Sequence, residues 1–567
     1  MAEQSLTDPQ WPAVAMLVAG DGFGHPLPEE PLPALSERLA QLLVDDYGDS
    51  VLLVTVSVGP GEPSLRPGNP ARLQLPVPSD TNAANRLICQ QLNQYASRYA
   101  YSFLAVEREQ PSEFAMQLAD FLGDWDCGLD PTLYLRLVEL QTRESARPRH
   151  DRWSVLACAL IRPRPQPEWL GLKDPRDWLL VRKHWLSQQK TGHDIDVGPG
   201  SRHPAWHTGC QDPEQVRAEV GPDGRVSRGG LARCARALSH RRIGLALGGA
   251  GAWGYAHIAL LRALEKQGVP VDIICGSSSG ALVGAYYAAF GDRGLQLLLD
   301  RGWPMTVLAC CAIVSMTPLE MMISRDTDAA MLSDLELMYF PITTNLTRMQ
   351  AERVVNASVA WGVRASATAP GLFGPTKDKD AVFVDGAVGG NVPTPLVAWL
   401  GADLVVAMNA LPRPLGLDPS IRQAGPIARL REFRKSLGAV FHDMGDWSSR
   451  GHITYDPPQQ AYPLVRTLMF FRGRALCEST EGQPEFDNVL EAVTAQWSKL
   501  SASRQGAPVE VTESRAHVRA PQRLRPPAGM VSVGEAVSVS APRQDGMPGS
   551  PQVPSSAPTE PTGETKA

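Results

Sequence analysis

Residues 242–291 read RIGLALGGAGAWGYAHIALLRALEKQGVPVDIICGSSSGALVGAYYAAFG. The stretch opens with Ile243–Leu247, a short apolar run with the length of a buried strand. A glycine loop follows, Gly248-Gly249-Ala250-Gly251-Ala252-Trp253-Gly254. Apolar positions at helical spacing over about 255–268 predict a helix. Val269 to Cys275 is a second buried run, with Val271–Cys275 its clearest part. It ends in Gly276-Ser277-Ser278-Ser279-Gly280 and a further apolar helix. Strand, loop, helix, strand, tight turn, helix is the order of a parallel α/β sheet. Both glycine elements then lie at the same edge of that sheet.

The second element has the form G-x-S-x-G. Small neighbours permit a sharp strand-to-helix turn that presents Ser278 as a nucleophile. The amides at the start of the next helix favour negative charge at that point. A plain polar turn is the competing reading. The first element can supply backbone N–H groups to an oxyanion, because side chains there would obstruct them. It also fits a dinucleotide fingerprint, Gly249-x-Gly251-x-x-Gly254, with Asp272 near the place of a ribose-binding acid. Two features count against that rival. The next loop is the serine turn itself, and no second mononucleotide half is evident.

A third element is Asp385-Gly386-Ala387, after the strand-like Ala381–Val384. In a desolvated cleft beside Ser278 an aspartate's pKa rises, and it can take the hydroxyl proton. Capping a turn is the local alternative. His257 lies one turn into the helix after the glycine loop and is expected to pack there, and His442 sits in a weakly patterned region. No histidine is placed to complete a triad, so a Ser-Asp dyad fits better.

Working outward, the chain has 567 residues, enough for two domains plus loose ends. Residues 1–12 are expected to be flexible. Residues 13–162 alternate strand candidates (Ala13–Ala19, Val51–Val58, Tyr101–Val106, Leu133–Leu140, Ser154–Ile161) with helical stretches at 32–47, 82–99 and 112–124. That predicts a first, smaller, Rossmann-like α/β domain with a parallel sheet. Its Gly20-Asp21-Gly22-Phe23-Gly24 precedes a proline-rich stretch rather than a helix, which favours a loop over a phosphate cradle. Residues 163–235 look like a connector. It holds His184, His193, His203, His207 and Cys210, which lack a second cysteine pair to complete a zinc site. Residues 236–500 form the second domain, with further strands at Phe383–Val384 and Leu404–Met408 and a helix at Pro395–Leu400. Residues 501–567 are expected to be disordered.

Net charge is −6 and no basic block stands out, which argues against nucleic acid as a partner. The nine cysteines include no C-x-x-C, so a reducing, cytoplasmic setting is expected rather than a disulfide framework. The N-terminus has no positive region of a secretory signal. The longest apolar run, Met305 to Met316, lies between Pro304 and Pro318 and is too short to span a bilayer. Any membrane contact is therefore expected to be peripheral. With Met321 and Met322, this run is a candidate lining for an acyl-chain groove. Ordinary core packing is the competing reading.

These elements, in this order, resemble the patatin-like phospholipase family, and more narrowly its neuropathy target esterase-like branch. The likeness extends through YFPITTNLT (339–347), WGVRASATAPGLFGP (361–375) and VFVDGAVGGNVPTPLVAWLGADLVVAM (382–408), and covers about residues 236–410. It implies a three-layer α/β/α hydrolase domain, with Ser278 the nucleophile, Asp385 its base, and the backbone of Gly249, Ala250 and Gly251 the oxyanion hole. It further implies hydrolysis of a carboxylic ester in a phospholipid or lysophospholipid through an acyl-serine, without metal or organic cofactor. The chain departs from the family's G-G-G-x-R/K-G at Ala250 and Trp253, and from its D-G-G at Ala387. A catalytically impaired binding or scaffold protein on the same fold therefore stays open, as does the dinucleotide-binding enzyme. Arg364 lies either near the site or in a salt bridge that holds its loop. Oligomeric state is open.

Overall fold

The computed structural model describes residues 13–19, 32–107, 133–143, 152–160, 214–220, 228–412, 451–458 and 466–505, with a few positions between 114 and 129; 313, 314, 336, 349, 356, 379, 380 and 467 are excepted. The Gly20–Gly24 loop, His184, His193, His203, His207, Cys210, His442 and residues 506–567 lie outside the described residues.

The chain forms two mixed eight-stranded sheets with helices on their faces. The first contains β1 (Ala13–Ala19), β2 (Val51–Val58), β3 (Ser64–Arg66), β4 (Ala71–Val77), β5 (Tyr101–Glu107), β6 (Tyr134–Arg143), β7 (Arg152–Leu160) and β8 (Glu214–Val220), in the order β3-β4-β2-β5-β1-β6-β7-β8. Its middle is parallel, as expected, but β3, β7 and β8 are antiparallel additions at the ends. Helix α1 (Leu32–Tyr47) covers one face, with Leu35, Leu39 and Leu43 against Leu53 and Phe103. Helix α2 (Thr81–Tyr95) covers the other, with Ile88 and Leu92 against Val54 and Leu104. Residues 214–220 and 228–235, expected in a connector, instead form β8 and most of α3 (Arg228–Leu238). Leu231, Cys234 and Leu238 of α3 pack with α1.

The second sheet has the order β13-β14-β11-β10-β9-β15-β16, with β12 paired on β11. Its strands are β9 (Ile243–Leu247), β10 (Ile273–Ser277), β11 (Met338–Asn345), β12 (Gln350–Arg353), β13 (Thr376–Asp378), β14 (Ala381–Asp385), β15 (Leu404–Met408) and β16 (Ile453–Tyr455). β10 starts later than expected. Asp272, just before it, is held by α3 through two-pronged bonds from Arg236 at 2.8 and 3.0 Å, so Val271 and Asp272 end the loop rather than begin the strand.

Strands buried on both faces explain why the sequence shows continuous apolar runs instead of alternation. Leu245, Leu247, Ile274, Val406 and Met408 face α4 (Ala256–Lys266) and α5 (Ser279–Phe290). Ala246, Ile273, Cys275, Val405 and Ala407 face the helix at Thr394–Trp399. The result is a helix/sheet/helix sandwich. The two sheets are tied by Arg241, fully buried, which grips Asp49 at 2.6 and 2.9 Å and the carbonyls of Leu500 and Ala502. Residues 501–505, expected at the start of a disordered tail, are ordered by this junction. Ser503 Oγ donates to Gly48 O at 2.6 Å, and Arg504 N–H to Asp49 Oδ1 at 2.8 Å.

After α5 come α6 (Asp292–Asp300), α7 (Gly302–Cys311) and α8 (Thr317–Asp326). Of the Met305–Met316 run, residues 305–311 are thus helical and Met316 stands at the N-cap of α8. No helix among the described residues is long and apolar enough to cross a membrane.

Candidate active site

Ser278 stands between the end of β10 and the start of α5, with φ +52° and ψ −116°. A serine held there stores about 1–3 kcal/mol of backbone strain, which the packing around it must hold. The reason it holds is close approach. A Cβ on Gly280 would meet Leu247 O at 2.2 Å, and one on Gly249 would meet the Cβ of Ser278 at 2.7 Å. The two glycine elements are therefore pressed against each other, and their glycines are what lets them touch. Ser278 N–H donates to Ser366 Oγ at 2.9 Å, which fixes the turn from the side of α9 (Val359–Ser366).

Strand register brings Asp385 to the same place. β11 lies between β10 and β14. Ser277 pairs with Ile342, and the next residue of β11, Thr343, pairs with Asp385. Ser278 and Asp385 thus flank β11 at one level. Asp385 is 4% exposed. Its Oδ1 accepts Ala387 N–H at 2.9 Å, and its backbone is held by Thr368 O and Thr344 Oγ1, each at 2.9 Å. Burial pushes its pKa from 3.8 up to about 6, against the opposing pull of the Ser278 hydroxyl and the Ala387 amide. The Ser278 hydroxyl faces the Asp385 carboxylate closely enough to stabilise its charge by hydrogen bonding.

The three loop positions differ from one another. Gly249 N–H donates to Asn391 Oδ1 at 2.6 Å, and Ala250 N–H to Ser279 Oγ at 2.8 Å. Gly251 N–H, at φ +56°, has no acceptor among the described residues. Ala250 adopts φ −154°, outside the left-handed region that favours glycine. Trp253 packs against the core, and Ala387 leaves the amide bond to Asp385 intact.

His257 is fully buried, and its Nε2 lies 2.7 Å from Gly248 O. Burial lowers its pKa to about 4, so it is neutral and donates Nε2–H to that carbonyl. It braces the loop and does not approach the serine–aspartate pair as a base. Arg364 takes its salt-bridge role, with Glu320 at 2.5 Å. Asp272 spends its carboxylate on Arg236 and on Ile243 N–H at 3.2 Å, so no ribose-binding acid is free there.

Above the pair lies a cleft of about 150 Å³. Gly251, Ser278 and Asp385 form its polar end, and Met305, Ala309, Met316, Leu319, Leu468 and Phe470 its apolar walls. Met305 and Met316 are at once core residues and cleft lining, so the two readings of that run are not exclusive. Sequence reasoning missed Asn391, Ser279 Oγ and Ser366. No spacing rule links position 391 to 249 or 366 to 278.

The comparisons bear on this region. Residues 245–301 match the family model for patatin-like phospholipase. Lysophospholipase nte1 of Emericella nidulans is 33% identical over 193 residues, 32% of this chain and 13% of that protein. Lysophospholipase NTE1 of Chaetomium globosum is 30% identical over 241 residues, 41% of this chain and 15% of that protein. Patatin-like phospholipase domain-containing protein 6 of Mus musculus is 34% identical over 198 residues, 32% of this chain and 14% of that protein. The chain thus spans only 13–15% of the length of these relatives. The chain is thus similar to patatin-like phospholipases over residues 245–301, and more narrowly to the neuropathy target esterase-like branch of that family.

Proposed function

We propose that this protein is a serine esterase acting on carboxylic esters of phospholipids or lysophospholipids. The observation that carries the reading is the strained Ser278 beside the buried, pKa-raised Asp385 at the polar end of an apolar cleft. In the reaction Asp385 accepts the Ser278 proton as Oγ attacks the ester carbonyl carbon. The carbonyl oxygen becomes an oxyanion, the alcohol leaves with the proton from Asp385, and an acyl-serine remains. Asp385 then takes a proton from water as it attacks the acyl carbon, and returns that proton to Ser278 Oγ as the acyl–Oγ bond breaks and the fatty acid leaves.

Gly251 N–H is the donor ready for the oxyanion. Ala250 N–H joins it by exchanging a neutral hydroxyl acceptor, Ser279 Oγ, for a charged one, and bonds to charged acceptors are roughly twice as strong. Gly249 N–H is committed to Asn391 and shapes the loop. Ala250, Trp253 and Ala387 leave this machinery in place, which favours an active enzyme over a disabled scaffold. The lysophospholipase names of the relatives supply the lipid class.

The test is hydrolysis of p-nitrophenyl butyrate and of a lysophospholipid by Ser278→Ala. Turnover is expected to vanish while the circular dichroism spectrum is kept. Undiminished turnover sinks the assignment.

A further inference from the structure

The wall of the cleft has a second side. α7 turns Met305 and Ala309 inward to the cleft, while Trp303, Pro304, Val307, Cys310 and Cys311 are exposed along its outer face. An amphipathic helix would carry charge on that face. Here no charged residue occurs between Arg301 and Glu320. Trp303 and Val307 are 65% and 58% exposed, and Met321 on α8 is 66% exposed. Phe471 stacks on Trp303 with ring centres 4.4 Å apart and planes 10° apart, and its N–H is pinned to Thr306 Oγ1 at 2.9 Å. The apolar surface is therefore built from two segments and held in place.

Three acids flank this surface, and each is matched by an arginine: Asp300 with Arg474, Glu320 with Arg364, Asp326 with Arg301. Arg325, Arg466 and Arg472 are exposed, and the ion pairs of those three acids among the described residues go to other arginines. Arg472 follows Phe471 directly. An indole and a phenyl ring with cationic neighbours suit the boundary between acyl chains and anionic headgroups.

The geometry points to the outer face of α7, with Trp303, Val307, Met321 and Phe471 ringed by Arg325, Arg466 and Arg472, as the surface on which this protein docks to an anionic phospholipid bilayer. It rests on the proposed function for one step only, the cleft as the destination of the lipid. One helix then has both tasks. Its outer face sits at the headgroup level, and its inner face receives the acyl chain a helix width away. Two segments, α7 and 468–472, each present one residue to the lipid surface and the next to the cleft: Leu468 and Phe470 line the cleft while Phe471 is exposed.

The experiment is co-sedimentation of the full chain with vesicles of phosphatidylcholine alone and of phosphatidylcholine mixed with phosphatidylglycerol. The wild-type protein and Ser278→Ala are expected to pellet with the mixed vesicles and weakly with the neutral ones. Trp303→Glu with Val307→Glu is expected to weaken that binding at least about tenfold, and Arg466→Glu with Arg472→Glu by about fivefold per arginine. Both variants are expected to hydrolyse soluble p-nitrophenyl butyrate at the wild-type rate, which shows that they fold. Vesicle binding by Ser278→Ala is read without hydrolysis, so a failed esterase assignment leaves this surface standing, and the reverse holds too. The proposal is overturned if the wild-type protein does not pellet with mixed vesicles, or if the Trp303/Val307 variant pellets as well as wild type. It is also overturned if light scattering shows a dimer that this variant dissolves while vesicles bind neither form.

Discussion

Replacing Asp385 by asparagine should make the protein more stable at neutral pH and nearly inactive. The carboxyl is buried, and its pKa moves from 3.8 to about 6 because desolvation outweighs the two groups that face it. That displacement corresponds to about 3 kcal/mol of differential interaction between the two protonation states. The folded form holds the proton more tightly than the unfolded chain. The wild type therefore carries no penalty below the unfolded value of 3.8, loses stability as pH rises through about 6, and stays at the lower level above it. Asparagine has nearly the same shape and no charge. Its amide oxygen can keep the Ala387 N–H, and its NH₂ can donate to Ser278 Oγ. The difference between Asp385→Asn and wild type should thus grow from near zero at pH 4 to at most about 3 kcal/mol at pH 7.5. Parallel urea titrations of both proteins across that range measure it. Hydrolysis should fall by about 10²–10⁴-fold, the usual worth of a positioned general base. A variant less stable than wild type at pH 7.5, or a gap that does not change with pH, refutes the reasoning.

Two further outcomes follow from the same geometry. For a soluble ester, kcat/KM should rise tenfold per pH unit up to about 6 and level off above, since the Asp385 carboxylate is the working form; His257, neutral down to about pH 4, adds no step in between, and a single inflection at the ordinary aspartate value would contradict the assignment. Ala250→Gly should change turnover by less than about threefold and cost about 0.5–1 kcal/mol in a urea melt, because Ala250 already sits at negative φ; a tenfold gain in turnover would show instead that the methyl hinders the loop.

The second sheet was largely legible because each of its central strands is buried on both faces and so shows as an unbroken apolar run: Ile243–Leu247 and Leu404–Met408 appear where expected. The β10 boundary was misplaced because Val271 joins Ile273, Ile274 and Cys275 in one apolar run interrupted only by Asp272, and Arg236, far earlier in the chain, pins Asp272 outside the strand. β4 carries an alternating pattern, but Pro76 within it hides a strand whose partner is fixed only by the sheet. β8 has the polar sequence EQVRAEV and borrows its pairing from β7. Ser278 and Asp385 could be singled out because Ser278 sits in the glycine-flanked turn after a strand and Asp385 ends a strand beside Gly386. Asn391, Ser279 and Ser366 act on the loop and the turn across the fold, through contacts that no local spacing encodes. The exposed face of α7 was hidden for a different reason: an apolar run looks the same whether it meets a core, a cleft or a lipid surface.

The central claim is that Ser278 is an activated nucleophile. Incubation of the folded, full-length protein with a fluorophosphonate probe, followed by peptide mapping in a mass spectrometer, tests it directly. The account predicts one adduct, on Ser278, lost in Ser278→Ala and strongly slowed in Asp385→Asn. An unlabelled protein, or an adduct on Ser277, Ser279 or another serine with Ser278 unmodified, would contradict it.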